Sequence, residues 1–262
     1  MARYNTIGTT YTLTRREEPR YMERILRRLA DAKSVVNVGA GTGNYEPRDR
    51  EVISVEPSAT MIAQRHSGAG MVIQGVAEAL PLPDATVDAA MAVFTDHHWT
   101  DPARGLEEML RVARRRVVAL TWDPAFHGSF WLVRDYLQDL QGLPDQRRRR
   151  GPSFIEAARS RYALREEIIP VPWDVIDGTF QAFWRRPEAY LDPAVRANIS
   201  IFRSLDAAAL QGVLDRLYQD LTSGAWLARN SELLERHELD VGNRLITIER
   251  SPGGRWPQGE AP

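Results

Sequence analysis

The chain has 262 residues, no cysteine and a formal net charge of −1 from 34 basic and 35 acidic side chains. That length suits one large domain with its own core, and the absence of cysteine excludes disulfides, thiolate catalysis and Cys-ligated metal. Near-neutral charge argues against nucleic acid or an anionic membrane as the main partner, and with Lys33 the single lysine there is little room for Schiff-base chemistry.

Residues 1–18 are polar with spaced aromatics, Tyr4 and Tyr11, and lack the apolar stretch of a secretory signal. Pro19 then opens a helix whose Tyr21, Ile25 and Leu29 recur at i, i+4 and i+8, one apolar stripe. From Ser34 the rhythm changes. Val35-Val36-Asn37-Val38 is a β-branched run ending in Gly39-Ala40-Gly41-Thr42-Gly43. A second strand, Val52 to Val55, ends at Glu56-Pro57-Ser58, and Ser58 suits the N-cap of a helix over 59–66. Residues 71–73 read as a third strand. Residues 88–94 read as a fourth, apolar almost throughout, as a strand covered on both faces is. Asp101-Pro102 starts a helix that buries Leu106, Met109 and Leu110, and 117–121 is a fifth strand.

Alternating strands and helices imply right-handed crossovers and a parallel sheet. One crossover is tight: residues 39–51, with Pro47 inside, separate the first two strands. Its helix must be one or two turns long, or absent. Beyond Asp123 the pattern loosens. A helix over 130–140, an arginine run at 147–150, a strand within 161–172, a mostly helical aromatic-rich stretch at 174–229 and a final strand at 243–250 are predicted. The longest apolar run, 89–94, is far below the roughly 20 residues of a membrane helix. The expectation is a cytoplasmic protein.

The glycine loop follows a strand directly, and Glu56 ends the next strand, where a carboxylate can accept two hydrogen bonds from a ribose diol. These residues predict a nucleoside ligand at the carboxyl edge of the sheet. The spacing is G-x-G-x-G, not the dinucleotide G-x-G-x-x-G, and the stunted helix removes the usual pyrophosphate-binding helix end. A nicotinamide dehydrogenase therefore conflicts with the spacing.

VVNVGAGTGNY, VISVEPSATMI and GVAEALPLPDATVDAAMAVFTDHHWTDPARGLEEMLRVARRRVVALTWD resemble class I S-adenosylmethionine (SAM)-dependent methyltransferases. The likeness is to the small-molecule group that includes quinone-biosynthesis enzymes, and it covers residues 34–123. It implies a Rossmann-like, mostly parallel seven-stranded sheet with an antiparallel last strand, the sixth and seventh strands being 164–171 and 243–250. A helical cover (1–33), a SAM-binding core (34–123), sheet completion (124–173 and 230–250) and a helical lid (174–229) would form one domain.

By that resemblance, Gly39, Ala40, Gly41, Thr42 and Gly43 pack against the methionine part and ribose of SAM. Glu56 binds the ribose hydroxyls, and Pro57, Ser58 and Met61 border the adenine, with Ala77 and Glu78 nearby. Phe94 and Thr95 begin the stretch Phe94-Thr95-Asp96-His97-His98-Trp99 beside the sulfonium. The truncated helix leaves a wall that the N-terminal segment would supply; Tyr4, Tyr11, Arg15 and Arg16 are candidates, an arginine pairing with the SAM carboxylate. Asn37 stands where this family commonly has an acid.

His97 is the first candidate for a general base or a group orienting the nucleophile, with His98 and Asp96 as rivals, against a purely structural role. Adjacent loop histidines diverge, so no metal is expected. Trp99, Trp173, Phe180, Phe183, Trp184, Arg185 and Tyr190 are candidates for the substrate pocket; core packing is the competing account of the aromatics. The expected function is methyl transfer to O, N or C of a small, partly apolar metabolite by a monomer or homodimer. The alternatives are a cyclisation or rearrangement on the same fold and a non-catalytic regulator.

Overall fold

The computed structural model describes residues 15–138, 151–197 and 199–259. Tyr4, Tyr11 and the arginine run at 147–150 lie outside the described residues. Helix α1 (Pro19–Leu29) starts at a proline, with the Glu18 carboxylate accepting from the Arg20 main-chain N–H. Strands β1 (Ser34–Val38) and β2 (Glu51–Glu56) follow, then α2 (Ala59–Ala63), β3 (Met71–Gln74), β4 (Val87–Val93), α3 (Pro102–Val112) and β5 (Ala113–Trp122). The Ser58 hydroxyl caps α2 and the Asp101 carboxylate caps α3, as their sequences predict. Helices α4 (Trp131–Tyr136) and α5 (Phe154–Arg161) precede β6 (Arg165–Ile168) and β7 (Val171–Pro172). After these come α6 (Pro193–Arg196), α7 (Ser200–Arg203), α8 (Ala207–Ser223), α9 (Ala225–Asn230), β8 (Glu238–Leu239) and β9 (Asn243–Glu249).

The main sheet has seven strands in the order β3-β2-β1-β4-β5-β9-β6. Neighbours among β1 to β5 run parallel, and β9 is antiparallel to both β5 and β6. This is the Rossmann-like arrangement with an antiparallel last strand. Side chains alternate across it. Val35, Met91, Val118, Leu120 and Leu245 join α1, α4 and the 174–229 stretch in one core. Val36, Ala90, Val117, Ala119 and Ile246 join α3 and α5 in the other. Burial on both faces explains the near-continuous apolar reading of β4.

Two expectations are corrected. The stretch 164–171 is not one strand. Arg165–Ile168 joins the main sheet, whereas Val171–Pro172 pairs with β8 in a separate ribbon. Pro170 and Pro172 have no N–H to continue the ladder, so the chain changes partner there. The helix expected over 130–140 is confined to Trp131–Tyr136 among the described residues. The stretch 174–229 is mostly helical, as expected, with turns over 174–186 before the 3-10 turn Pro187–Leu191.

The crossover from β1 to β2 holds no helix at all. Its place is taken by a loop pinned from below. Glu46, buried, accepts from Arg65 Nη2 through both carboxylate oxygens (2.7 and 2.9 Å), from the Gly70 main-chain N–H (2.9 Å) and from the Ser54 hydroxyl. Four hydrogen bonds from three donor groups on one buried carboxylate replace the packing that a helix would have provided.

Candidate functional site

The carboxyl ends of β1, β2 and β4 open into one cleft of about 500 Å³. Gly39 leaves β1 at φ +71°, and its N–H and that of Ala40 both donate to the Val55 carbonyl (2.8 and 3.2 Å). A methyl group on Gly39 would lie 2.0 Å from Thr95 Oγ1, so only glycine lets the loop pass over the end of β4. Gly41 (φ +55°) turns the chain back over Met61. Its N–H donates to Glu56 Oε2 (2.8 Å), and the Ser58 N–H donates to Oε1 of the same carboxylate (2.8 Å). Both carboxylate oxygens are thereby aimed by main chain. Burial pushes the Glu56 carboxyl above the ordinary range, against the pull of those two N–H groups.

At the end of β4, Phe94 adopts φ +50°, a left-handed conformation that costs a bulky side chain. Its N–H is fixed by the Leu120 carbonyl (2.7 Å) and its ring meets Tyr21 edge-on. A 3-10 turn, Asp96–His98, follows and puts His97 and His98 on the cleft wall, their rings 3.8 Å apart. Trp99 packs on Gly105, where a Cβ would come within 2.4 Å of the indole, and on Phe154.

Of the predicted residues, Gly39, Ala40, Gly41, Thr42, Glu56, Pro57, Ser58, Met61, Ala77, Glu78, Phe94, Thr95, His97, His98 and Trp99 line this cleft. Glu78 has a structural tie as well: its carboxylate accepts from the main-chain N–H groups of Thr100 and Asp101 (2.6 and 3.1 Å). Gly43 stands off the wall, packed on Ala69. Asp96 is a correction. It is buried and accepts from the Thr121 hydroxyl (2.7 Å), so it braces the 3-10 turn and does not line the cleft. Arg16 is another. It is exposed, while Arg15 beside it lines the cleft.

The distal aromatics are elsewhere too. Trp184 and Tyr190 are fully buried, the indole N–H donating to the Val171 carbonyl (3.0 Å) and the phenol to the Phe180 carbonyl (2.7 Å). Phe180 packs on Phe130 and Phe183 on Tyr190. Trp173 is exposed under the Arg185 guanidinium. Aromatic bodies whose polar tips find main-chain acceptors are stable as core, so this group builds the 174–229 layer and leaves the cleft wall to others. The sequence reading missed Asn44 and Tyr45, which also line the cleft. Tyr45 sits at φ +61°, and the one available signal was the lack of room for a helix after the glycines.

Among the described residues, no group of three or more His, Asp or Glu is placed to hold a metal ion, and no helix is long and apolar enough to cross a membrane. A doubly anchored carboxylate at the end of β2, facing a glycine loop at the end of β1, defines a nucleoside-binding protein of the Rossmann-like class. A methyltransferase-domain family model matches residues 36–120. An uncharacterized methyltransferase of Mycobacterium tuberculosis is 32% identical over 211 residues, 78% of this chain and 79% of that one. A solved structure described as a methyltransferase from an antibiotic biosynthesis pathway of Anabaena variabilis ATCC 29413 superposes with a TM-score of 0.75 and 30% identity. It covers 89% of this chain and 98% of its own. A 2-methyl-6-phytyl-1,4-hydroquinone methyltransferase of Oryza sativa is 34% identical over 110 residues, 38% of this chain and 31% of that one.

The chain belongs to the class I SAM-dependent methyltransferases, and SAM is its cofactor. The residues present fit that group. The anchored Glu56 carboxylate suits a ribose diol, the glycine loop admits a close ligand, and Met61 and Ala77 supply apolar surface for a base.

Proposed function

We propose that the protein methylates an O, N or C atom of a small, partly apolar metabolite, with Glu56 holding the cofactor ribose and His97 orienting or deprotonating the acceptor. The placement of His97 and His98 on the same cleft wall as the glycine loop and Glu56 carries this reading. SAM supplies a methyl group already activated on a sulfonium, so the chain contributes chiefly position. Glu56 fixes one end of the ligand through two oriented oxygens. The left-handed turn at Phe94 swings the chain from β4 into the 3-10 turn that carries both imidazoles. A neutral imidazole there can take the proton of a hydroxyl or amine as the new bond forms.

The apolar character of the acceptor is supported by Val76, Val93, Phe94 and Trp99 on the cleft wall. Near-neutral charge agrees with an enzyme acting on a metabolite and not on nucleic acid. Thermal unfolding with S-adenosylhomocysteine at 100 times its dissociation constant should gain about 2.7 kcal/mol. Glu56→Ala should remove roughly 1.5–3 kcal/mol of that binding. His97→Ala should cut turnover while leaving the homocysteine compound's affinity unchanged. Full turnover in His97→Ala would assign the imidazole a structural role.

A further inference from the structure

Tyr21 is a buried group that neither the cofactor site nor the chemistry proposed for His97 uses. It sits in the first turn of α1, 2% exposed, with its ring edge-on to Phe94 and the centroids 6.3 Å apart. Its hydroxyl has no hydrogen-bond partner among the described residues. The Asn243 carboxamide is near enough to act on the phenol, yet the two do not meet in hydrogen-bonding geometry. Asn243 is buried and opposes Trp122 where β5 ends and β9 begins. Burial, then the Asp177 and Glu18 charges, push the Tyr21 phenol well above its ordinary range, so it stays a donor.

A buried hydroxyl without a partner is destabilising, and such a group calls for a cause. Phenylalanine would pack as well at this position with no polar group to bury. The polar side chains beside it are satisfied. The Tyr45 hydroxyl donates to Asp177 Oδ2 (2.9 Å), Arg15 Nε donates to Oδ1 (2.5 Å), and the Glu18 main-chain N–H donates to the Tyr45 oxygen (3.1 Å). The cofactor cleft takes the carboxyl ends of β1, β2 and β4, and the phenol and carboxamide lie next along that edge, toward β5 and β9. Ligands of parallel sheets bind over this edge. Phe94 stands between the two places, on the cleft wall, and is held left-handed at φ +50°. Such strain in a bulky residue marks a functional constraint.

A phenol that donates and a carboxamide that does not bond to it fit one hydroxyl placed between them. Its oxygen accepts from Tyr21 and its proton goes to the Asn243 carbonyl. The Tyr21 and Phe94 rings suit an aromatic body beside that hydroxyl, and the Asp177 and Glu18 charges disfavour an anion. We infer that Tyr21 and Asn243 form the subsite that anchors the methyl acceptor, that the anchored group is a hydroxyl on an aromatic ring, and that the ring enters past Phe94. This rests on the small-acceptor reading given above and narrows it to phenols.

The probes 4-fluorophenol and 4-fluorotoluene are rings of nearly equal shape that differ in the hydroxyl. Their dissociation constants and exchange rates are measured by fluorine NMR on the whole chain saturated with S-adenosylhomocysteine, for the wild type, Tyr21→Phe, Asn243→Ala and Phe94→Gly. Expected is a phenol-to-toluene affinity ratio that falls roughly 3- to 10-fold in Tyr21→Phe, the scale of one hydrogen bond. Asn243→Ala lowers the ratio in the same sense. In Tyr21→Phe the fluorotoluene affinity stays within about twofold, S-adenosylhomocysteine binds as before, and the melting temperature does not fall, because no partner is lost. Phe94→Gly raises the association rate of both probes. An unaltered ratio in Tyr21→Phe overturns the inference, and a lower melting temperature with it would assign the hydroxyl to an ordered water. Wild type that binds neither probe overturns it as well, and unchanged association rates in Phe94→Gly overturn the entry route. If Asn243→Ala does not fold, Tyr21→Phe decides alone. Wild type that fails to bind S-adenosylhomocysteine overturns the cofactor reading too, whereas normal binding of it with an unaltered probe ratio overturns this inference alone.

Discussion

Gly39→Ala tests the geometry of the cleft most directly. The added methyl would stand 2.0 Å from Thr95 Oγ1, 2.8 Å from its Cβ and 2.9 Å from its Cγ2. All three separations are far inside van der Waals contact. Thr95 is nearly buried at the end of β4, so the overlap cannot be relieved by swinging a long side chain into solvent. Overpacking of this kind costs about 1–3 kcal/mol. The backbone adds a second cost, since φ +71° is left-handed and disfavours alanine by roughly 1–2 kcal/mol. Together the substitution should remove about 2–5 kcal/mol, a large share of the roughly 5–15 kcal/mol that holds a domain together. Urea unfolding at constant m gives the stability change. The double variant Gly39→Ala/Thr95→Gly separates the two costs, because removing the threonine side chain abolishes the clash and leaves the backbone strain. It should sit between the single variant and the wild type. A Gly39→Ala protein within about 0.5 kcal/mol of wild type would refute the close approach of the loop to β4.

Three further outcomes follow from the same structure. Arg65→Met removes the Nη2 that donates to both oxygens of the buried Glu46 carboxylate and should destabilise the protein by about 3–5 kcal/mol in denaturant, far more than a surface pair would. Glu56 is raised by burial, so the contribution of its protonation to stability is present below the ordinary Glu range and lost as pH rises through the folded value; the ribose contact we propose for it needs the ionised form and runs the other way. Affinity for S-adenosylhomocysteine should therefore fall as the medium is acidified through that value, and Glu56→Gln should flatten the trend in a calorimetric pH series. His127 is lowered by burial, its Nδ1 lacks a hydrogen-bond partner and its ring stands edge-on to Trp122. Stability from its neutral form is complete above about pH 6.5 and is lost as pH falls through the folded value. The acid limb of the melting-temperature profile should be shallower in His127→Phe.

The parallel core was legible because its signals are local. β-branched runs, the Ser58 and Asp101 caps, and the proline starts of α1 and α3 each bias a few adjacent residues. The glycine loop and Glu56 were legible for the same reason: conformational freedom and a strand-end carboxylate are written at single positions. The short crossover left room for one or two helical turns or none, and the structure holds none. The aromatic set at 173–190 misled, since clustering in sequence carries no information on which side of a layer a ring lies. The polar tips of Trp184 and Tyr190 found the Val171 and Phe180 carbonyls and both rings lie in the core, whereas Trp173 stays exposed. Asp96 reads as a base beside two histidines, yet the Thr121 hydroxyl, 25 positions away, locks it under the turn.

By itself the sequence determined the chain order and parallel run of β1 to β5, the acid that ends β2 and the glycines of the loop after β1, all consequences of short-range sterics and hydrogen bonding. The tertiary structure alone decided that Arg15 and not Arg16 faces the cleft, and that Asp177, 132 positions from Tyr45, holds both side chains there. A carboxylate chooses its partners across such a separation only once the two core layers have packed and water has been excluded from between them, and no local pattern encodes that juxtaposition.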